Sequence, residues 1–364
     1  MSGNKTVKDY TGQIMEADAK NAEHHHKKSV IEKYTTDTKY DQIVESQETL
    51  KKAQSIDVTL RDPDRIKKIQ ESVGEYFRDV KNSRVFINND FRGKIPYFLR
   101  NIILLAAETG QGKSTICANL ALHALSQGQR ALVISNEENE QDIYNRITCL
   151  FKSWSYTDHT MFSPDQVETF QTMIEHLSHR LTVIDDSFDG APGATSTIEG
   201  VENILNSLVD KEIKFDVIIV DYYQNIERSI KNPMMSNWQV QERFCNFIDK
   251  FKNRYDAPII ILAQKKKDSE DMSFKESIEG RKIILNKATC AINVKADREN
   301  LKTGFTVEKS RFPEAMGQTI WTGYNKGKYV PYDQTFKNHV QDVKDRREER
   351  ETLGKIKPKS GGDE

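Results

Sequence analysis

The residues best spaced for chemistry are Ala106-Ala107-Glu108-Thr109-Gly110-Gln111-Gly112-Lys113-Ser114-Thr115. An apolar run, Ile102-Ile103-Leu104-Leu105, precedes them, and a helical pattern that stops at Gly128 follows. Strand, glycine-rich turn, lysine, hydroxyl and helix is the layout of a loop that cradles phosphate. Glycines let successive backbone N–H groups turn inward without a Cβ clash. Those groups and the N-terminus of the next helix form a concave anion site. Lys113 has the reach for the terminal phosphates of ATP, and Ser114 offers an oxygen to Mg²⁺. Glu108, Thr109, Gly110, Gln111, Gly112, Lys113, Ser114 and Thr115 are therefore the nucleotide-binding candidates. Ala107 stands where the usual G-x-x-x-x-G-K-[ST] spacing has its first glycine. The plainer reading, a glycine-rich turn in an ordinary βα unit, leaves the lysine and hydroxyl unexplained.

Two further carboxylate positions follow apolar runs. Val217-Ile218-Ile219-Val220 delivers Asp221, and a carboxylate beside a phosphate loop can hold Mg²⁺ directly or through water. Ala131-Leu132-Val133-Ile134 delivers Ser135-Asn136-Glu137-Glu138. In a parallel sheet, sites form beyond the carboxyl ends of strands. Glu137 or Glu138 is thus a candidate base that orients the attacking water. The competing reading is acidic charge at the N-terminus of the helix after Asn139.

These residues need a frame. Ile102 to Ala106, Ala131 to Ile134, Leu181 to Ile184, Val217 to Val220 and Ile259 to Leu262 read as buried strands without alternation, as parallel sheets demand. Helical patterns alternate with them, one opening on Ser163-Pro164-Asp165-Gln166, a capping box, with Val167, Phe170, Ile174 and Leu177 as one apolar face. After Ile283 the runs Ala291 to Val294, Gly304 to Lys309 and Gln318 to Tyr324 suggest antiparallel hairpins. The expected fold is α/β, with a mainly parallel sheet and a C-terminal antiparallel edge. The expected domains are a charged, weakly packed arm over 1–60, a linker helix and connection over 61–95, the core over 96–334 and a charged tail over 335–364. Ile66, Ile69, Val73, Tyr76 and Phe77 carry the linker helix. His24-His25-His26 reads as a solvated tract, since no cysteine or carboxylate sits at ligand spacing.

Bulk composition sets limits. The net charge of -1 gives no global field toward nucleic acid, so any such contact must be local. The four cysteines are scattered, which points to free thiols in a reducing compartment. No apolar run is long enough to span a bilayer, and no signal peptide is evident, so a cytoplasmic protein is expected.

Ile103 to Asn225 resembles the ATPase domain of hexameric replicative DNA helicases of the DnaB type, with the RecA-like fold, and is similar to helicases of bacteriophages. Four blocks carry the resemblance: Ala107 to Ser114, Val133 to Glu138, Val183-Ile184-Asp185-Asp186, and Ile219-Val220-Asp221-Tyr222-Tyr223-Gln224. The family often has Ala at the leading position of the phosphate loop. The resemblance implies that Glu137 is the catalytic glutamate and that Arg146 is the arginine common in the following helix. It implies that Gln224 couples nucleotide state to DNA contact. A weaker match continues at Leu262-Ala263-Gln264 and at Glu308-Lys309-Ser310-Arg311-Phe312, where the family's lysine and arginine reach the neighbouring subunit's ATP. It implies a ring, expected to be a hexamer, with single-stranded DNA and a primase or helicase loader as partners, in a bacterial cytoplasm or a phage-infected cell. Lys265-Lys266-Lys267 replaces the family's Leu-Asn-Arg, and residues 1–95 do not resemble its N-terminal collar.

Two loops complete the set. Arg228 to Asn237 includes Arg228 and Lys231, and Lys265 through Lys275 to Lys282 includes Lys265, Lys266, Lys267 and Lys275. The family's equivalents line a central channel, and such cations would hold phosphates. No aromatic residues interleave with these cations, so backbone tracking is expected. The alternative to a motor is a RecA-like filament or regulatory ATPase that does not unwind.

Overall fold

The structure, a computed structural model, describes Lys67, Phe91 and residues 101–355, apart from 157–161, 188–192, Tyr222, 268–271, 280–282 and Phe312; side chains are described as far as Glu348. The chain divides into two compact units, 1–73 and 74–364, and all described residues except Lys67 belong to the second. The expected arm, its histidine tract and the linker helix, apart from Lys67, lie outside the described residues.

The strands are β1 (Ile102–Glu108), β2 (Ala131–Ser135), β3 (Leu181–Ile184), β4 (Val217–Asp221), β5 (Ile259–Lys265), β6 (Cys290–Asp297), β7 (Lys302–Ser310), β8 (Thr319–Asn325) and β9 (Lys328–Pro331). They form one sheet in the order β3-β2-β4-β5-β1-β6-β7-β8-β9. Pairing is parallel from β3 to β6 and antiparallel from β6 to β9. The helices are α1 (Lys113–Ser126), α2 (Glu140–Lys152), α3 (Pro164–Ser178), α4 (Ile198–Asp210), α5 (Asn237–Phe251), α6 (Phe274–Ser277), α7 (Ile283–Lys287) and α8 (Gln334–Lys355).

Successive residues of a strand face opposite sides of the sheet. Ile103, Leu105 and Ala107 of β1 pack with Ile116 and Leu120 of α1, while Ile102, Leu104 and Ala106 pack with the α4 and α5 side. Both faces are covered, which is why these strands read as unbroken apolar runs. Helix starts are set locally: Asn139, Ser163 and Ser236 accept backbone N–H bonds at α2, α3 and α5, and the last two form capping boxes.

Three features differ from the sequence reading. A ninth strand, β9, follows a turn in which Lys326 and Gly327 both have positive φ, 47° and 85°. That geometry suits a two-residue hairpin, but lysine is an unusual occupant of its first position, so Asn325-Lys326-Gly327 does not announce it. Helix α8 begins where a tail was expected, and its Phe336 and Val340 are buried. A Cβ on Gly323 would stand 2.6 Å from the Phe336 ring, so β8 and α8 are in close contact. Val167 is exposed, whereas Phe170 joins a ring cluster with Trp154 and Phe162.

Candidate nucleotide and nucleic-acid sites

The phosphate loop leaves the carboxyl end of β1. Gly110 (φ 78°) and Gly112 (φ 91°) take conformations that an L side chain rarely adopts. The turn is closed by Gln111 N donating to Glu108 O at 3.1 Å, and Gly112 opens α1 without any side-chain cap. The first backbone donors of α1 are thereby left for a ligand. Ser114 and Thr115 lie in the first turn of α1, half-buried. Strand β6 and the turn after it brace the loop: Ala296 N donates to Gln111 Oε1 at 2.8 Å, and Arg298 Nη2 donates to Gly110 O at 2.7 Å. Beside Gly110 and Gly112 lies a cavity of about 270 Å³, lined also by Arg298, Tyr324 and Tyr329.

Lys113 is buried and its Nζ lies 3.5 Å from Gln264 Oε1 on β5. Asp221 ends β4, opposite Ser135 of β2, and is 1% exposed. Its Oδ1 has no hydrogen-bond partner. Burial, and after it the charges of Glu137 and Glu138, push this carboxyl up to about 7, while Lys113 and Arg146 pull it down. A buried carboxylate oxygen without a donor, next to two more carboxylates, is an unfavourable arrangement for an apo protein. A divalent cation beside Asp221 and the Ser114 hydroxyl would relieve it, so these residues fit Mg²⁺.

The two glutamates divide their roles. Glu138 accepts two bonds from one edge of the Arg146 guanidinium, Nη2 to Oε1 and Nε to Oε2, the latter at 3.3 Å. The Arg146 guanidinium also lies 4.4 Å from the Tyr156 ring centroid. Glu137 is exposed and close enough to Asp221 to raise it. Asp185 and Asp186 are structural: Asp185 accepts from Glu140 N and Ser187, and Asp186 from Thr195 and Ser196.

Gln224 follows β4 in a 3₁₀ turn, Tyr223–Asn225. Its Nε2 donates to Gln264 O at 3.1 Å and to Glu279 O at 3.3 Å. Gln241 Nε2 of α5 donates to Gln224 O at 3.4 Å. One glutamine thus joins the strand that touches Lys113, the loop after β5 and the helix after β4.

At the opposite end of the strands, Ser310 pairs with Cys290, which pairs with Ile103 at the start of β1. Arg311 is exposed there, its backbone N donating to Thr289 O. Lys309 behaves differently from the expectation. Its Nζ donates to Leu285 O, Asn286 O and Ala288 O at 2.7, 3.0 and 2.8 Å. All three ammonium donors close the end of α7, so Lys309 is committed within its own chain.

Among the basic loop residues, Arg228, Lys231, Lys266, Lys267 and Lys275 are exposed. Lys265 is not. Strand β5 runs three residues beyond the expected end, and Lys265 is its last residue, 9% exposed. Its Nζ donates to Asn293 Oδ1 at 3.1 Å, and Asn293 Nδ2 donates to Glu308 Oε1 at 3.2 Å. These side chains line a cavity of about 390 Å³ with Glu108. Lys265 therefore does not belong with the nucleic-acid contacts.

The family pattern described as "DnaB-like helicase C terminal domain" matches residues 98–278. Residues 98–278 are a DnaB-like helicase domain. Among solved structures, "The Structure Of A DnaB-Like Replicative Helicase And Its Interactions With Primase" aligns with TM-score 0.59 and 14% identity, covering 92% of this chain and 81% of that one. A second solved structure, an isolated ATPase domain, aligns with TM-score 0.57 and 14% identity, covering 73% and 99%. At these identities the likeness is one of fold. No curated protein matches the sequence.

C-terminal to the matched residues, sequence reasoning missed Arg298, Tyr324 and Tyr329 beside the phosphate loop. Their signal is weak, because they come from the antiparallel edge, about 180 residues or more after the loop they serve. Among the described residues no helix is long and apolar enough to cross a membrane.

Proposed function

We propose that this chain is an ATP-driven DNA helicase or translocase that works as a ring, with each ATP completed by two subunits. Lys113 and the first turn of α1 hold the phosphates, and Ser114 and Asp221 hold Mg²⁺. When bound, that ion neutralises charge between the β- and γ-phosphates. Glu137 orients the attacking water. The flat rings of Tyr324 and Tyr329, with Arg298, offer a pocket for the base beside the phosphate cradle. Exposed cations at Arg228, Lys231, Lys266, Lys267 and Lys275 face a single strand of DNA. Gln224 carries the state of the nucleotide to both loops.

One observation supports the shared site above the rest. Arg311 follows Ser310, which is level with Ile103, whereas the phosphate loop begins beyond Glu108. Five residues of strand separate them, roughly 17 Å at about 3.3 Å each. An exposed arginine at that end of the strands is out of reach of its own nucleotide and open to a neighbour's. An arginine supplied in trans to the transferred phosphoryl group can be worth about 10³–10⁵ in rate. With Lys309 committed to α7, the trans role falls to Arg311 alone.

The test is ATP turnover with and without single-stranded DNA, alongside unwinding of a forked duplex. Stimulation with unwinding is expected. Full turnover that ignores the strand, with no unwinding, would reject the motor in favour of a filament or regulatory ATPase.

A further inference from the structure

The loop between β4 and α5 presents apolar surface, not only charge. Ile230 is 70% exposed, Met234 93% and Trp238 50%, all within nine residues. Isolated exposed apolar residues are ordinary, but a run of large ones on a loop tip marks an interaction surface.

The exposure is built in. Arg228 O accepts from Ile198 N at 2.9 Å, in a bridge to the start of α4. Buried Glu199 accepts from Ser229 Oγ at 2.7 Å and from Ile230 N at 2.8 Å, and Arg243 pairs with the same carboxylate. At the other end Met235 packs against the core beneath, its N–H donates to Asn232 O, and Ser236 caps α5. Adjacent methionines are thus split: Met235 anchors the loop and Met234 is held out in solvent. A loop fastened at both ends cannot fold this surface away.

We infer that this loop tip contacts unpaired nucleobases, with Met234 and Ile230 against base faces and Trp238 as a stacking surface. The inference rests on the nucleic-acid reading above and adds base contact to the backbone contact expected there. Charge selects the occupant. Residues 228–241 contain Arg228 and Lys231 and no acidic residue. A partner that is both anionic and flat-faced suits cations set beside apolar side chains, and single-stranded nucleic acid is that partner. Position agrees: the loop leaves the same strand end as Asp221, and Gln241, one turn after Trp238, donates to Gln224 O. A change at the nucleotide can therefore move the base-contacting surface.

The experiment measures binding of two labelled oligothymidylates to the full chain, in the presence of a non-hydrolysable ATP analogue. One carries bases and the other has abasic residues throughout. The wild type is expected to bind the base-bearing strand about tenfold more tightly, within the range for stacking of one or two bases. Met234→Ala and Trp238→Ala are each expected to remove several-fold of that preference. Affinity for the abasic strand and the slope of log affinity against log salt should not change, because the phosphate contacts remain. Equal binding of both strands by the wild type overturns the inference alone. Preference retained in both variants, with altered assembly by sedimentation, overturns it in favour of a contact between copies. Binding of neither strand overturns the nucleic-acid reading and the inference with it.

Discussion

At the residue scale, the site separates groups that resemble each other in sequence. Glu137 and Glu138 are adjacent, yet Glu138 is taken by Arg146 and Glu137 is exposed. Glu137→Gln should leave nucleotide affinity within about twofold and lower kcat by about 10²–10⁴, the usual worth of a positioned base. Single-turnover kinetics with measured nucleotide binding checks this. Lys265 and Lys275 separate in the same way. Lys275→Ala should lower affinity for single-stranded DNA and reduce the salt slope by about one. Lys265→Met should leave both unchanged, because its ammonium faces Asn293 inside a cavity. Salt titration of DNA binding distinguishes the two, and a reduced slope in the Lys265 variant would refute its placement. The phosphate loop and Asp221 were legible in sequence because local spacing and a strand end determine them. Lys265 was misread because a run of three lysines looks like a loop, and nothing local says that β5 continues to its first member. The end of α7 that holds Lys309 is likewise a tertiary contact with no sequence signature.

At the scale of elements, the strands were legible because burial on both faces makes each one an apolar run. The C-terminal hairpin edge was legible in outline, but β9 and the start of α8 were hidden in a polar stretch. Only Tyr329, Phe336 and Val340 of that stretch are buried, too few for a periodic signal. The loop after β4 depends on one buried carboxylate on α4. Burial alone would raise Glu199; bonds from Ser229, Ile230 and Arg243 outweigh it and hold the group at about 2, below its ordinary 4.5. A depressed carboxyl contributes stability above the ordinary value and loses it as pH falls toward the folded one. Glu199→Gln should therefore cost about 3 kcal/mol near pH 7. The gap from wild type should shrink steadily between about pH 5 and pH 2. Urea midpoints at several pH values measure it; a gap independent of pH would contradict the assignment. On the other side of the sheet, Gly323→Ala should cost about 1–3 kcal/mol, since its Cβ would meet the Phe336 ring at 2.6 Å. Thermal unfolding of that variant is the check.

At the scale of the molecule, the proposed site residues lie at opposite ends of the strands of one sheet. The phosphate loop, Asp221 and Glu137 lie beyond one end of the strands, and Arg311 lies at the other. Under the proposed function, a second copy would bring its Arg311 to the phosphate site of the first. The most direct test mixes two inactive variants. Lys113→Ala destroys its own phosphate site but keeps Arg311, and Arg311→Ala keeps its phosphate site but offers no arginine. Each alone should hydrolyse ATP at a small fraction of the wild-type rate. Mixed in equal amounts with single-stranded DNA, they should regain a substantial share, because intact phosphate sites then meet intact arginines across the seam. A mixture no more active than the sum of its parts, with both variants assembled normally, would contradict a shared active centre.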